Sequence, residues 1–392
     1  MRVVGIVAEY NPMHNGHIYH LNKAREISKA DFVVAIMSGN FMQRGEAAIL
    51  DKWTRAEVAV RNGVDLVLEL PFAFACNSAE YFGRGAMEIL KGLGCVNSVS
   101  FGSELGDIGP LREVADFLAL EPEAYRLALR KHLDLGLAFP KARELAVNQC
   151  LGLSFGQLLK DPNNILAIEY LKACGEMEPI TIKRKGSYHD LSLKEEGTFI
   201  GARAIREQII GGAMDDILGF LPTSSANILK TRALSMVDNG LLFDLLRAEI
   251  LKNSSSELGN IFGAGEGIEN KMKKEIRRNK TVEEFAMALK SKRYTLTSIN
   301  RLLMQTLLRL KQQDLWSKPL YGRVLALSQQ GGVLLRRIKK EELATIPMIT
   351  NINRQEIPEL MHYDILASDL YNLACGQDLY RRSDYVVKPF VK

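Results

Sequence analysis

Gly5-Ile-Val-Ala-Glu-Tyr-Asn-Pro-Met-His-Asn-Gly-His17 is the stretch whose reading decides the fold. A short apolar strand, Arg2 to Ala8, runs through a turn into His14-Asn-Gly-His17, which opens a helix. That order puts two imidazoles and the free N–H groups of a helix start at the carboxyl edge of a sheet. An open α/β sheet binds its ligand at that edge, and a helix start favours anions such as phosphate. Gly16 leaves the backbone open to a phosphate that a side chain would obstruct. Paired imidazoles can stabilise charge developing on a phosphate under attack, so His14 and His17 are the candidate catalytic pair of an enzyme that splits ATP at its α-phosphate. A lone loop histidine is usually structural. His20, one turn further, is read either as a third contact or as a plain surface residue.

Outward from this stretch the chain alternates strand and helix. Strands are expected at Asp31–Met37, Leu66–Leu70 and Asn97–Phe101, and helices at Gly16–Ser28, Lys52–Asn62 and Ser78–Lys91. Continuous apolar runs separated by helices mean βαβ units, and crossover handedness then gives a Rossmann-like, doubly wound parallel sheet. The loops after parallel strands share one rim. Glu9 to His17, Ser38 to Gly45, Pro71 to Asn77 and Phe101 to Glu104 should therefore face one crevice. Lys52 and Arg55 either reach that crevice or are simply solvated.

Helices are expected over Leu111–Leu120, Glu123–Leu135, Lys141–Cys150 and Asn164–Cys174, the last with Asp161 as N-cap and Pro162 at its first position. A strand, Ile180–Arg184, and a Gly-Ser-Tyr-His turn follow. Past residue 207 the pattern becomes long helical segments: Ala226–Asp238, Leu241–Asn253, Val282–Lys290 and Thr297–Gln312. Gly322–Leu327 and Gly332–Arg336 are β-like, and Gly259 to Gly267 is the most linker-like region. The division expected is an α/β catalytic domain over residues 1–206 and a mostly helical, basic region over residues 207–392.

The chain has 392 residues, 47% hydrophobic and 25% charged, which is the composition of a soluble globular protein. No apolar run approaches the ~20 residues of a membrane helix, and no secretion signal is visible, so a cytoplasmic protein without a membrane partner is expected. Five scattered cysteines read as free thiols rather than disulfides, a zinc site or a nucleophile, and no metal-ligand set is visible. Net charge is uneven. Residues 1–200 hold 22 basic against 25 acidic side chains, and residues 271–340 hold 18 against 4. Such an excess points to a polyanionic partner, nucleic acid, with Lys273, Lys274, Arg277 and Arg278 as candidate contacts; a solvated basic helix face is the plain reading.

Other candidates lie along the rim. Arg44 can pair with a phosphate bidentately or bind the carboxylate of a small acid. Gly102 would let an adenine ring lie against the backbone. Asn163, in a helix's first turn, can bond the nucleotide or merely cap. Arg184 is a phosphate ligand candidate with Lys183 and Lys185 as competitors, and Arg206 can hold a leaving pyrophosphate.

Several stretches together resemble one family: Val7 to His17, Ser38-Gly-Asn-Phe-Met-Gln-Arg-Gly-Glu46, Asp65 to Pro71, Phe101-Gly-Ser-Glu104, Pro162-Asn-Asn164, Ile182-Lys-Arg184 with Tyr188-His-Asp190, Arg293 to Thr297 and Ile299 to Leu303. The chain is similar to the bacterial tRNA(Met) cytidine acetate ligases of the nucleotidylyltransferase superfamily. The resemblance implies ATP-dependent activation of acetate as acetyl-adenylate, then transfer to N4 of the wobble cytidine of elongator tRNA(Met), giving N4-acetylcytidine. It carries ATP contacts onto Val7, Ala8, Glu9, Tyr10, Asn11, Pro12, Met13, His14, Asn15, Gly16, His17, Ile18, Tyr19 and His20, and onto Gly102, Asn163 and Arg184. Mg²⁺ is expected with the triphosphate, and no acyl-CoA is required. One departure stands out: Gly201-Ala202-Arg203 replaces the family's Ser-Ala-Thr, so two hydroxyls near the phosphates are missing. The alternatives are a small-molecule adenylyltransferase, which leaves the basic second half without a role, and a non-catalytic RNA-binding protein, against which both histidines argue. Oligomeric state is not legible.

Overall fold

The computed structural model describes residues 1–184, 199–232, 236–317, 320–354 and 356–392. Lys185, the Gly186-Ser-Tyr-His turn and Asp190 lie outside these described residues. Among the described residues one sheet holds eight strands: β1 Val3–Ala8, β2 Phe32–Ser38, β3 Leu66–Leu70, β4 Ser98–Ser103, β5 Glu178–Lys183, β6 Gly322–Leu327, β7 Met348–Ile349 and β8 Phe390–Val391. Their order is β5-β4-β1-β2-β3-β6-β7, with β8 beside β6. Strands β1 to β5 pair in parallel, while β6 runs antiparallel to β3. The chain starts mid-sheet at β1, moves to β2 and β3, then crosses over to β4 and β5. The winding therefore reverses between β1 and β4, which is where such a sheet opens a crevice at its carboxyl edge.

The central strands are apolar throughout because both faces are covered. Val3, Val34, Ile36, Leu66 and Leu68 join one core cluster, and Val4, Ile6, Val33, Ala35, Met37 and Val67 join another. That split follows the two-residue alternation of a strand. The covering helices are α1 Asn15–Ser28, α2 Lys52–Arg61, α3 Ala79–Gly92, α4 Ile108–Leu120, α5 Glu123–Asp134, α6 Phe139–Leu151 and α7 Pro162–Ala173. Then come α8 Ala202–Ile210, α9 Thr223–Arg232, α10 Asn239–Lys252, α11 Ile268–Glu275, α12 Val282–Leu289, α13 Leu296–Leu307, α14 Gln329–Lys340 and α15 Met361–Ala374. The doubly wound α/β architecture expected from the sequence is the one observed, with a helix-rich second half.

Several local expectations are corrected by packing. Gly332–Arg336 is not β-like but lies inside α14. Ser328 caps that helix by accepting the Gly331 N–H at 3.0 Å, and Leu334 and Ile338, four residues apart, are buried. Gly331 serves close approach, since a Cβ there would stand 1.8 Å from the Asp65 carbonyl oxygen. The Gly259–Gly267 stretch is a packed corner and not a loose linker: Ile261 and Ile268 are buried, and the Phe262 N–H donates to Leu310 O at 2.8 Å. Pro71 to Asn77 leaves the rim altogether. Phe72–Ala75 forms a single helical turn, and everything from Phe72 to Asn77 is buried.

Lys52 and Arg55 are neither solvated nor in the crevice. The Lys52 ammonium is fully buried and donates to both Glu69 carboxylate oxygens, at 2.8 and 2.9 Å, and to Asp384 at 2.7 Å. Burial opposes its charge, but Asp384 and Glu69 more than offset that and hold its pKa above the ordinary value. Glu69 sits on β3, and Asp384 arrives from the end of the chain. The region past residue 206 thus returns to the sheet it covers: β6 pairs with β3, and Tyr321 donates to Asp364, whose other oxygen accepts the Phe72 N–H at 2.7 Å.

Lys52→Met should destabilise the fold by about 3–5 kcal/mol, because it leaves two buried carboxylates without their cation. Urea unfolding measures this, and adding Glu69→Gln and Asp384→Asn to the same chain should recover most of the loss.

Candidate active site

A cavity of about 620 Å³ opens where the winding reverses. Val7, Ala8, Glu9, Tyr10 and Asn11 come from the end of β1, and His14, Gly16, His17, Tyr19 and His20 from the start of α1. Gln43 and Arg44 follow β2, Phe101 and Gly102 end β4, and Lys183 and Arg184 end β5. Asn163 comes from α7, and Gly201 to Ala204 with Arg206 from the start of α8. Within residues 7–20, Pro12, Met13, Asn15 and Ile18 do not line the cavity. They shape the turn instead: the Met13 carbonyl accepts the Ser225 hydroxyl at 2.9 Å, and the Asn15 amide donates to Gly219 O at 3.0 Å.

The histidine motif is the helix cap. His14 Nδ1 accepts the Gly16 N–H at 3.1 Å, and His17 Nδ1 accepts the His14 N–H at 3.2 Å, a reciprocal capping box built from imidazoles. The two rings lie 3.8 Å apart between centroids. With Nδ1 accepting, the proton of a neutral ring sits on Nε2, so each imidazole keeps one N–H donor. Burial, then the charges of Arg184 and Arg206, push His14 down to about 3. Burial, then His14 and Arg184, hold His17 well below 6.5. Both rings are neutral at pH 7. They act as directional N–H donors, while positive potential comes from the α1 dipole and the arginines. His20 is no plain surface residue: its Nε2 lies 3.1 Å from the buried Ser100 hydroxyl, and burial, then Arg184, lowers it to about 4.

Arg55 builds the crevice from below. Its guanidinium donates to the carbonyls of Glu9 at 2.7 Å, Leu50 at 2.9 Å, Ser38 at 3.1 Å, and Gly39. One buried cation thereby ties the loop after β1 to the loop after β2. Above it, the Glu9 carboxylate accepts the Gln43 N–H at 2.7 Å; burial raises its pKa against the pull of that bond, Arg206 and Arg55. Arg206 donates to Asn11 O at 3.0 Å and lies 3.5 Å from Glu46. Gly201 is the N-cap of α8 and makes no side-chain bond. A Cβ there would meet open space, so the hydroxyl it lacks leaves backbone donors facing the cavity.

On the opposite side, Asn163 stands between Glu104 and Arg184. The Glu104 carboxylate accepts the N–H groups of Asn163 and Asn164, at 3.2 and 2.8 Å, and the Asn163 side-chain amide at 2.6 Å. Asp161 holds the N-cap position but makes no side-chain cap bond, so Glu104 does that work from β4's loop. Arg184 reaches Asn163 Oδ1 at 3.4 Å, and a Cβ on Gly102 would come 3.2 Å from Arg184 Cγ.

Thr295, Thr297 and Arg301 also line the cavity, from the start of α13. Sequence reasoning missed them as site residues. The Thr295 N-cap and the four-residue spacing from Thr297 to Arg301 were legible, but nothing local says that this helix lies over loops some 250 residues earlier in the chain. The candidate polyanion contacts divide. Lys273 donates to Ile250 O, Leu251 O and Asn253 O at 3.1, 3.2 and 2.6 Å, closing the end of α10. Lys274, Arg277 and Arg278 stay exposed, Arg278 pairing with Glu275 at 3.2 Å. The basic end of α14 lies elsewhere: Arg337 acts on Cys95, and Leu343 packs at Gly94, just before the amino end of β4.

The comparisons agree with this geometry. A family model described as HIGH Nucleotidyl Transferase matches residues 1–384. A protein named tRNA(Met) cytidine acetate ligase from Alkaliphilus metalliredigens is 39% identical over 426 residues, spanning 100% of this chain and 99% of its own. One of the same name from Caldicellulosiruptor saccharolyticus is 42% identical, spanning 95% and 94%. The crystal structure of Thermotoga maritima TmcAL bound with alpha-thio ATP superposes with a TM-score of 0.89 at 32% identity, over 100% of both chains.

Because the buried histidines stay neutral while unfolded ones titrate near 6.5, stability is full above that pH and falls as protons bind the unfolded chain below it. At pH 5 the share due to His14 alone should be about 2 kcal/mol. Chemical unfolding midpoints should therefore decline from pH 7 to 5, with a shallower slope in His14→Asn, which keeps a capping acceptor without a titrating ring.

Proposed function

The chain belongs to the HIGH nucleotidyl transferase family, and on that footing we propose that it is an ATP-dependent tRNA-modifying ligase. Acetate attacks the α-phosphorus of ATP, the bond to the bridging oxygen breaks, and pyrophosphate leaves with acetyl-adenylate formed. The N4 amine of the wobble cytidine of elongator tRNA(Met) then attacks the acetyl carbon, AMP departs, and the amine gives up a proton. The observation that carries the reading is the cavity's double wall. Sheet loops and the start of α1 bring two neutral N–H donors and two arginines, and α13 from the helical second half adds a second lining of Thr295, Thr297 and Arg301. A small-molecule adenylyltransferase would have no use for that second wall.

Each group has a role under this reading. His14 and His17 hold an α-phosphate oxygen through their Nε2–H groups, where donors aimed at developing charge lower the barrier most. Arg184, with Asn163 and Gly102, holds the nucleotide, and Arg206 with the open start of α8 holds the leaving pyrophosphate. Arg44 is poised for a phosphate or the acid's carboxylate. Of the cavity carboxylates Glu9 and Glu80, Glu9, beside the histidine turn, would suit a Mg²⁺ ion accompanying the triphosphate, since this ion takes one or two carboxylates plus substrate phosphates. Burial keeps the Cys76 thiol high, at about 12, so direct phosphoryl activation is favoured over a cysteine intermediate. Free acetate is the donor and acyl-CoA is not used. Among the described residues no helix is long and apolar enough to cross a membrane, in keeping with a cytoplasmic enzyme.

ATP–pyrophosphate exchange should be stimulated by acetate, and mass spectrometry of tRNA(Met) incubated with ATP and acetate should show one added acetyl on cytidine. A requirement for a phosphorylated small molecule instead would sink the ligase reading in favour of an adenylyltransferase. His14→Asn and His17→Gln preserve capping chemistry, and each should cost about 10²–10³-fold in exchange with tRNA binding kept. Replacing Lys274, Arg277 and Arg278 with Ala should weaken tRNA binding and flatten its salt dependence, leaving exchange intact.

A further inference from the structure

Arg301 is a charged side chain of the crevice with no part in holding the nucleotide. It lies on α13, half-buried, and lines the cavity. Among the described residues it makes no hydrogen bond and no ion pair, unlike Arg184, Arg206 and Arg55, each held by a carbonyl or side-chain oxygen. Burial weakens its hold on its own proton, the buried Cys76 thiol partly opposes that, and the like charge of Arg44, from the loop after β2, adds to it. The approach is built in. Gly45 has φ +79°, and a Cβ there would stand 2.3 Å from the Asn300 carbonyl carbon and 2.4 Å from the Arg301 nitrogen, so the β2 loop is pressed onto α13 at this point. Two guanidinium groups at one cavity wall, one of them with no hydrogen bond or ion pair among the described residues, call for an anion between them.

The surroundings specify the anion. Thr297 lies four residues before Arg301, on the same face of α13, and lines the same wall. Thr295 caps that helix by accepting the Ser298 N–H at 3.2 Å, and among the described residues the amides of Leu296 and Thr297 at its first turn are left as donors. This wall is carried by α13 and the loop after β2, whereas the groups suited to the nucleotide come from the start of α1 and the ends of β4 and β5. It offers hydroxyl and guanidinium donors together, the set that a small carboxylate takes.

Resting on the ligase reading, we propose that Arg301, with Thr297 and Arg44, forms the carboxylate subsite that holds acetate for attack on ATP. One carboxylate oxygen is gripped by the guanidinium fork, and the other is free to form the bond to the α-phosphorus. The cations offset the repulsion between acetate and triphosphate that otherwise keeps the two anions apart. After the bond to pyrophosphate breaks, the gripped oxygen is the acetyl carbonyl. Arg301 then stabilises the negative charge that gathers on it when the cytidine amine adds to the carbon, before the C–O bond to AMP breaks. One guanidinium thus positions the first step and stabilises the second.

The test is a split of kinetic constants in the full-length enzyme. Acetate-dependent exchange by the unaltered protein comes first; its absence would overturn the ligase reading itself. Given that activity, Arg301→Ala should raise the KM for acetate about ten- to a hundredfold, as loss of a charge-assisted bond does, with the KM for ATP and for tRNA(Met) changed less than about threefold. Added guanidinium ion should recover part of the loss, and Arg301→Lys should lie between. Transfer from preformed acetyl-adenylate to tRNA should also slow. Thermal unfolding should show Arg301→Ala at least as stable as the parent, because the change removes a half-buried, unpaired cation. A loss that falls on the KM for tRNA would mean the guanidinium meets an RNA phosphate, a loss that falls on the KM for ATP would mean it meets the triphosphate, and either overturns the proposal.

Discussion

A buried guanidinium with no carboxylate of its own governs the crevice. Arg55 spends its donors on the carbonyls of Glu9, Ser38, Gly39 and Leu50, so the strand ends of β1 and β2 and the approach to α2 are tied at one point. Burial lowers its pKa, and Tyr371, Asp51, Glu9 and Glu69 partly counter that. A planar fork with five donors suits this task, since it can meet several carbonyls at fixed angles where an ammonium offers a point charge. The turn that carries Tyr10, Asn11 and the histidines springs from one of those strand ends. The Gln43–Arg44 loop springs from the other.

Charge buried in the fold and charge exposed in the crevice follow different rules. Lys52 is surrounded by Glu69 and Asp384, and its cluster locks the end of the chain to β3. Nothing in it faces the cavity. Arg184 and Arg206 face the cavity and also hold protein oxygens, which fixes their direction without cancelling their charge. The histidines complete the division. Surrounded by arginines and withdrawn from water, they remain neutral, so the site combines fixed positive charge with neutral, directional donors.

The second half of the chain is less separate than its composition suggests. Its β6 extends the parallel sheet on one edge in the antiparallel sense, and its α13 rests on the loop after β2 through Gly45. The basic run over residues 271–340 is likewise not one surface. Lys273 is absorbed in closing α10, while the end of α14 lies by the amino edge of β4, opposite the crevice. Net charge by segment reports composition, and only folding decides which charges share a face.

Local rules reached far into this protein. The unbroken apolar runs of β1, β2 and β3 implied burial on both faces, and the histidine pair after the first strand marked the helix start and the crevice, because period and capping are short-range properties. Asp161-Pro162 marked the start of α7 for the same reason, although the bond that closes it comes from Glu104, whose approach is a matter of strand register. What only the tertiary structure decided depends on pairs far apart in sequence: Lys52 with Asp384, Arg55 with four carbonyls, Arg301 against Arg44. A lysine or arginine at the start of a helix reads the same whether it faces solvent, a substrate or a buried carboxylate. The cost of removing its water, and the partner that offsets that cost, exist only once the chain has folded.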